Sequence, residues 1–175
     1  MSIAYLLQAA RDRLRTVVPL SNDRCNLQPG GRPPARMGEF YVSLDEGRVQ
    51  GSDRTHLKEI YTINIWITKR TGKYPPDKYA EVYLANAVGL DAIERKIIAA
   101  LHGVQAVRVA ANTLGSLPGA GTGDIFQQPL WYTGRGATAP AGAEWNGGEG
   151  ENNTFLVRLL QFTGGLRVQA LDVIH

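Results

Sequence analysis

The sequence predicts an α+β fold: a mostly antiparallel sheet with helices packed on one face, joined by long Gly/Pro-rich loops. Three observations lead there. Residues 57–70, Leu-Lys-Glu-Ile-Tyr-Thr-Ile-Asn-Ile-Trp-Ile-Thr-Lys-Arg, alternate with the period of a pleated strand. Further alternating runs flank it at short intervals, as in an antiparallel meander. Residues 90–102 repeat apolar side chains at helical spacing, which gives the sheet a helix to bury against.

Within the long strand, Leu57, Tyr61, Ile63, Ile65 and Ile67 share one face. Lys58, Thr62, Asn64, Trp66 and Thr68 share the other, together with Ile60. Branched and aromatic side chains suit a pleated surface. The first face is apolar enough for a core. The second is half polar and is expected to meet water, a lumen or a partner.

The remaining elements follow in order. Residues 2–18 read as an amphipathic helix with Ile3, Leu6, Leu7, Ala10, Leu14, Val17 and Val18 on one stripe. Ser2 can cap it and Pro19 helps to stop it. Arg11 and Arg15 lie one turn apart with Arg13 on the flank, either a solvated face or a basic rim for an acidic partner or phosphates. Residues 19–38 form a long loop holding Pro19, Pro29, Gly30, Gly31, Pro33, Pro34 and Gly38, with Arg24, Arg32 and Arg36.

Residues 39–44 predict a short strand, and Asp45-Glu46-Gly47 a turn. Gly72, Pro75 and Pro76 end the long strand. Residues 77–88 are ambiguous. In the helix at 90–102, Leu90, Ile93, Ile97 and Leu101 form the buried stripe, and Asp91 and Glu94 precede Arg95 and Lys96, the order a helix dipole favours. Gly103 suits the position just past the helix end, where His102 could bond the last carbonyls.

Residues 104–111 predict a strand. Between Leu114 and Asn153 the composition shifts, and ten of the chain's 20 glycines fall there. One strand is expected near 126–134 and the rest of 114–150 reads as an extended loop or arm that orders against a neighbour. Residues 155–162 alternate again, Gly164-Gly165 is a hairpin signal, and residues 166–174 would be its return strand.

The totals narrow the functional classes. At 175 residues, 43% hydrophobic and 20% charged, the chain predicts a single folded domain spanning 1–175. No apolar run approaches the roughly 20 residues of a membrane helix, and the first residues lack a signal pattern. Cys25 is the single cysteine, which excludes an intrachain disulfide and suits a reducing compartment.

The net charge of +3 is too small to imply nucleic acid by itself. Residues 1–73 carry 12 Lys/Arg against 7 Asp/Glu, and residues 74–175 carry 7 against 9. A two-ended molecule that stacks directionally could use that asymmetry, which also reads as ordinary scatter.

No catalytic constellation emerges. The Gly115–Gly123 segment lacks the Gly-Lys-Ser/Thr ending of a phosphate loop. His56, His102 and His175 show no metal-ligand spacing. Ser43 and Ser116 lack the Gly-x-Ser-x-Gly context of a serine hydrolase. No cofactor and no enzymatic activity are expected. Trp66, Trp131 and Trp145 read as core or subunit interface, with base stacking as the lesser reading. Long loops without site chemistry point to assembly.

The order of elements resembles the tail terminator and tail-completion proteins of long-tailed bacteriophages. The passage Ala87-Val-Gly-Leu-Asp-Ala-Ile-Glu-Arg-Lys-Ile-Ile-Ala-Ala-Leu-His102 and the run Phe155-Leu-Val-Arg-Leu-Leu-Gln-Phe162 carry most of the likeness. The resemblance implies a structural protein of the virion, assembled in the host cytoplasm and placed at the head-proximal end of the tail. It implies a homohexameric ring that caps the tail tube, halts its growth and offers a docking surface to a head-completion or connector protein. Genomic DNA would pass through the ring without specific binding. The expected interface residues are Arg11, Arg15, Arg32, Arg36, Trp66, Trp131 and Trp145. The alternatives are another head–tail joining ring, such as an adaptor or stopper, and a DNA-binding module using Arg11, Arg13, Arg15, Arg24, Arg32 and Arg36.

Overall fold

The computed structural model of the protein describes residues 3–21, 23–31, 33–34, 38–50, 57–71, 76–78, 80–84, 87–104, 128–140 and 155–168. These form α1 (Ile3–Arg15), β1 (Cys25–Leu27), a 3-10 turn (Pro29–Gly31), β2 (Phe40–Gln50) and β3 (Leu57–Arg70). A second 3-10 turn (Pro76–Lys78), α2 (Glu81–Leu84), α3 (Leu90–Leu101), β4 (Gln128–Arg135), β5 (Ala139–Pro140) and β6 (Phe155–Val168) complete them. The expected α+β class is what forms. The sheet runs β1-β2-β3-β6-β4, with β5 also bonded to β6. Every pairing is antiparallel except that of β1 with β2.

β3 and β6 are its spine. They pair over 14 residues without a break, from Leu57 opposite Val168 to Arg70 opposite Phe155. The alternation read in residues 57–70 is realised: Tyr61, Ile63, Ile65 and Ile67 are buried, Ile63 beside Phe162 and Ile65 beside Leu160. α3 contributes Leu90, Ile93, Ile97 and Leu101 to the same core, all fully buried. α1 adds Leu6, Leu7, Ala9, Ala10 and Leu14, and β2 adds Phe40, Val42 and Leu44. Both helices therefore lie on one face of the sheet.

Several local expectations give way to longer-range pairing. α1 stops at Arg15, and residues 16–19 turn away from the helix. Asp45-Glu46-Gly47 is no turn: β2 runs straight through it. Three steps from Glu46 to Val49 match two from Ile63 to Tyr61, so the extra residue is absorbed as a β-bulge. Gly47 fits there because a Cβ would lie 2.9 Å from the Thr62 carbonyl oxygen.

Gly164-Gly165 is no hairpin either. β6 continues to Val168, with Gly164 opposite Tyr61 and Gly165 flanked by Ile60 and Gln128. Neighbours on both sides hold the strand straight where the dipeptide alone would favour a turn.

Gly103 has φ +74° and ends α3 as the sequence suggests. Of the strand expected at 104–111, Val104 forms a single bridge to Leu130, and residues 105–111 lie outside the described residues. Within the arm expected at 114–150, residues 128–135 and 139–140 pair with β6. Residues 114–127 and 141–150 lie outside the described residues, as does Trp145. Among the described residues no helix is long and apolar enough to cross a membrane.

Candidate functional site

Three places on this frame gather polar or aromatic groups. The first lies where the alternation of the spine strands continues past the apolar residues. The inward row of β3 runs Ile63, Ile65, Ile67, Lys69, and that of β6 runs Phe162, Leu160, Arg158, Leu156. Lys69 and Arg158 are therefore carried under the helices, and Arg158 keeps 3% of its surface exposed.

Each cation is met by the start of α3 or by the approach to it. Lys69 Nζ donates to Glu39 Oε1 at 2.6 Å and to the Val88 carbonyl at 2.9 Å. Arg158 Nη1 donates to Asp91 Oδ1 at 2.7 Å and makes a short contact with Glu94 Oε2. Its Nε donates to Thr138 Oγ1 at 2.9 Å, and the Tyr83 ring lies 5.7 Å away.

Glu94 also accepts from Arg135 Nη1 at 3.1 Å, so β4, β6 and α3 meet on one carboxylate. Burial, together with the Glu94 carboxylate nearby, pushes the Tyr132 phenol above its ordinary range. Three cations thus meet three carboxylates. Arg158 and Arg135 fix the first half of α3 to the sheet, with Lys69 and Arg158 buried and Arg135 half exposed at its rim.

The sequence reading took Asp91 and Glu94 for dipole complements on a helix face. It missed the cluster, although its signal is present: Lys69 and Arg158 occupy inward positions of otherwise apolar strands. A cation at such a position needs a carboxylate from the covering element.

The second place is the outer face of the sheet. Trp66 lies there, covered by the turn Pro29–Gly31. A Cβ on Gly31 would fall 2.2 Å from the indole, and Gly31 has φ +67°, so glycine is required twice over. Ser43 Oγ donates to the Gly31 carbonyl at 2.7 Å and pins the same turn. Trp66 is thus the seat of an intrachain loop. Toward one end of β3, Gln161 Nε2 donates to Asn64 Oδ1 at 3.1 Å, and Thr133 Oγ1 to the Gln161 carbonyl at 3.1 Å, with Asp45 paired opposite Asn64. Toward the other end the same face carries Tyr41 and Phe155, with Arg70 over the Phe155 ring.

The third is the edge strand β4. Trp131 is 47% exposed, and its ring meets the edge of His102 at a centroid distance of 5.1 Å. His102 does not bond the end of its own helix through its ring. Its Nδ1 accepts the Tyr132 backbone N–H at 3.1 Å.

The arginines of α1 are partly drawn into the fold. Arg15 Nε donates to the Cys25 carbonyl on β1 at 2.9 Å, and Arg13 Nε to the Ala100 carbonyl at the end of α3 at 2.5 Å. Arg11 pairs with its neighbour Asp12 at 2.8 Å. Arg24 lies 4.9 Å over the Phe40 ring. Arg32 and Arg36 are outside the described residues. Of the expected interface set, the structure brings Arg11 and Arg15 together on α1 and sets Trp66 and Trp131 apart, one under a turn and one at a strand edge.

A chain of a solved structure, "Virion of native gene transfer agent (GTA) particle", has this fold. That chain belongs to a virion. The two are 14% identical and superpose with a TM-score of 0.51 over 95% of this chain and 97% of the other. No protein-family model matches the sequence, and no curated protein matches it. The likeness is one of fold, extending over nearly the full length of both chains.

Proposed function

We propose that this protein is a structural subunit of a phage-like particle, and that it forms the ring that closes the tail tube and receives the head. The observation that carries the reading is the end-to-end likeness of fold to a virion chain. Two features of the molecule agree with it. The strong charges of the core are neutralised against one another and hold the fold together. Trp131 stands half exposed at a sheet edge, and aromatic residues of this kind commonly anchor subunit contacts.

In this reading the mechanism is geometric. Copies of the chain meet through a heterologous contact that closes by rotation. One side of the ring matches the end of the tube and the other presents a different surface, so that subunit addition stops. The ring takes six copies, DNA passes through it, and a head-completion or connector protein docks on it. Arg11, Arg15 and Trp131 belong to the surfaces between copies or rings.

The test is a tube-growth assay with the cognate tail tube protein, read by electron microscopy. Tubes should stop growing and carry an added ring at one end when this protein is supplied. Tubes of unchanged length and bare ends would sink the proposal.

A further inference from the structure

Among the described residues, β1 ends the sheet on the side away from β4. Its register with β2 fixes which backbone groups face outward. Val42 N–H donates to the Arg24 carbonyl at 2.7 Å, and Gln28 N–H to the Leu44 carbonyl at 2.9 Å. Arg24, Asn26 and Gln28 therefore turn their backbone groups toward β2, and Cys25 and Leu27 turn theirs away from it.

Side chains of the same chain meet this outward edge. Arg15 Nε, at the end of α1, donates to the Cys25 carbonyl at 2.9 Å. Leu27 N–H donates to Asn26 Oδ1 at 2.9 Å. An edge strand with open donors and acceptors is a template for another strand. Here one acceptor and one donor are taken before any other strand arrives.

The two groups are the complementary halves of one particular contact. Laid antiparallel about a two-fold axis through Asn26, two copies of β1 set Cys25 of one opposite Leu27 of the other. Residues at such a pair exchange both N–H···O bonds. Leu27 N–H of each copy would then bond the Cys25 carbonyl of the other, once on each side of the axis. Arg15 holds that acceptor and Asn26 holds that donor.

We propose that Arg15 and Asn26 seal the outer edge of β1 against self-complementary pairing with a second copy of this chain. A pair of that kind is complete at two copies. It would compete with the heterologous contact through which a ring closes. The seal itself follows from the edge geometry and holds whether or not the ring forms.

Sedimentation velocity of the full-length protein across a concentration series tests this, together with amide exchange. Arg15→Met keeps an apolar stem without the donor, and Asn26→Ala removes the acceptor. The double variant should dimerise at a concentration roughly tenfold or more below any dimer of the wild type, the worth of one hydrogen bond to a charged group. The Leu27 amide should gain protection as that dimer fills. The two-fold pairing also sets residue 26 of one copy against residue 26 of the other as a non-hydrogen-bonded pair, with Cα atoms about 4.5 Å apart, within disulfide reach. Asn26→Cys combined with Arg15→Met should therefore crosslink on mild oxidation, and roughly tenfold less with Arg15 in place. Should the double variant not fold, Asn26→Ala alone decides, since Asn26 is exposed: it should show the same dimer at a higher concentration. The proposal is overturned if the folded variants sediment as the wild type does, if association leaves exchange at Leu27 unchanged, or if the crosslink at position 26 is indifferent to Arg15.

Discussion

Glu94 is the residue on which most depends. It takes bonds from Arg158 on β6 and Arg135 on β4, and so joins α3 to two strands. Removing one partner from a buried ion pair leaves the other charge uncompensated. Arg158→Met is expected to destabilise the protein by about 3–5 kcal/mol, measured by urea denaturation. A change below 1 kcal/mol would mean that the cluster is wet and weak.

Cys25 gives a second residue-scale prediction. Burial pushes its thiol from 9.0 up to about 12, against the pull of Arg15 and Arg11. A raised folded value means that the native state holds its proton longer than the unfolded chain does. The stabilisation is complete below pH 9 and is lost as pH rises toward 12. Cys25 alone adds a slope of up to about 1.4 kcal/mol per pH unit in that window. Burial also raises Tyr41 and Tyr132, which act in the same direction. Denaturation midpoints of wild type and Cys25→Ala should diverge from pH 8 to 10.5, with the wild type falling faster. Parallel curves would refute the assignment.

At the scale of elements, the spine of β3 and β6 against α3 decides stability. Ile65 lies at its centre, opposite Leu160 and fully buried. Ile65→Ala should cost roughly 2–5 kcal/mol, and melting within a degree of the parent would contradict the packing. This part of the fold was legible in the sequence because strand and helix each repeat an apolar stripe at their own period. Turn chemistry misled it at Asp45-Glu46-Gly47 and at Gly164-Gly165, where pairing partners on other strands outweigh local preference. Pairing of residues 128–135 and 139–140 with β6 was only partly legible: a strand near 126–134 follows from Leu130, Trp131 and Tyr132, but Ala139-Pro140 carries no strand signal of its own. Gly134, Arg135, Ala139 and Pro140 all pair with β6 and so belong to the sheet. The charge cluster was hidden for a different reason. Its members come from positions 39 to 158, and only the register of β3 with β6 brings them together.

At the scale of the whole molecule, the sheet has a short β1 at one edge and the β4 and β5 pair at the other, with the helices on one face. The half-polar outer face expected from the sequence is there: the turn over Trp66 covers part of it, Asp45, Asn64 and Gln161 line one end, and Tyr41, Arg70 and Phe155 the other. The two edges and the outer face are therefore chemically different surfaces. The central claim is that the chain closes into a ring. Native mass spectrometry of the full-length protein, alone and with tail tube protein, tests it most directly. The account predicts a discrete closed oligomer of six copies, present alone or on addition of the tube protein. A strictly monomeric mass under both conditions would contradict it.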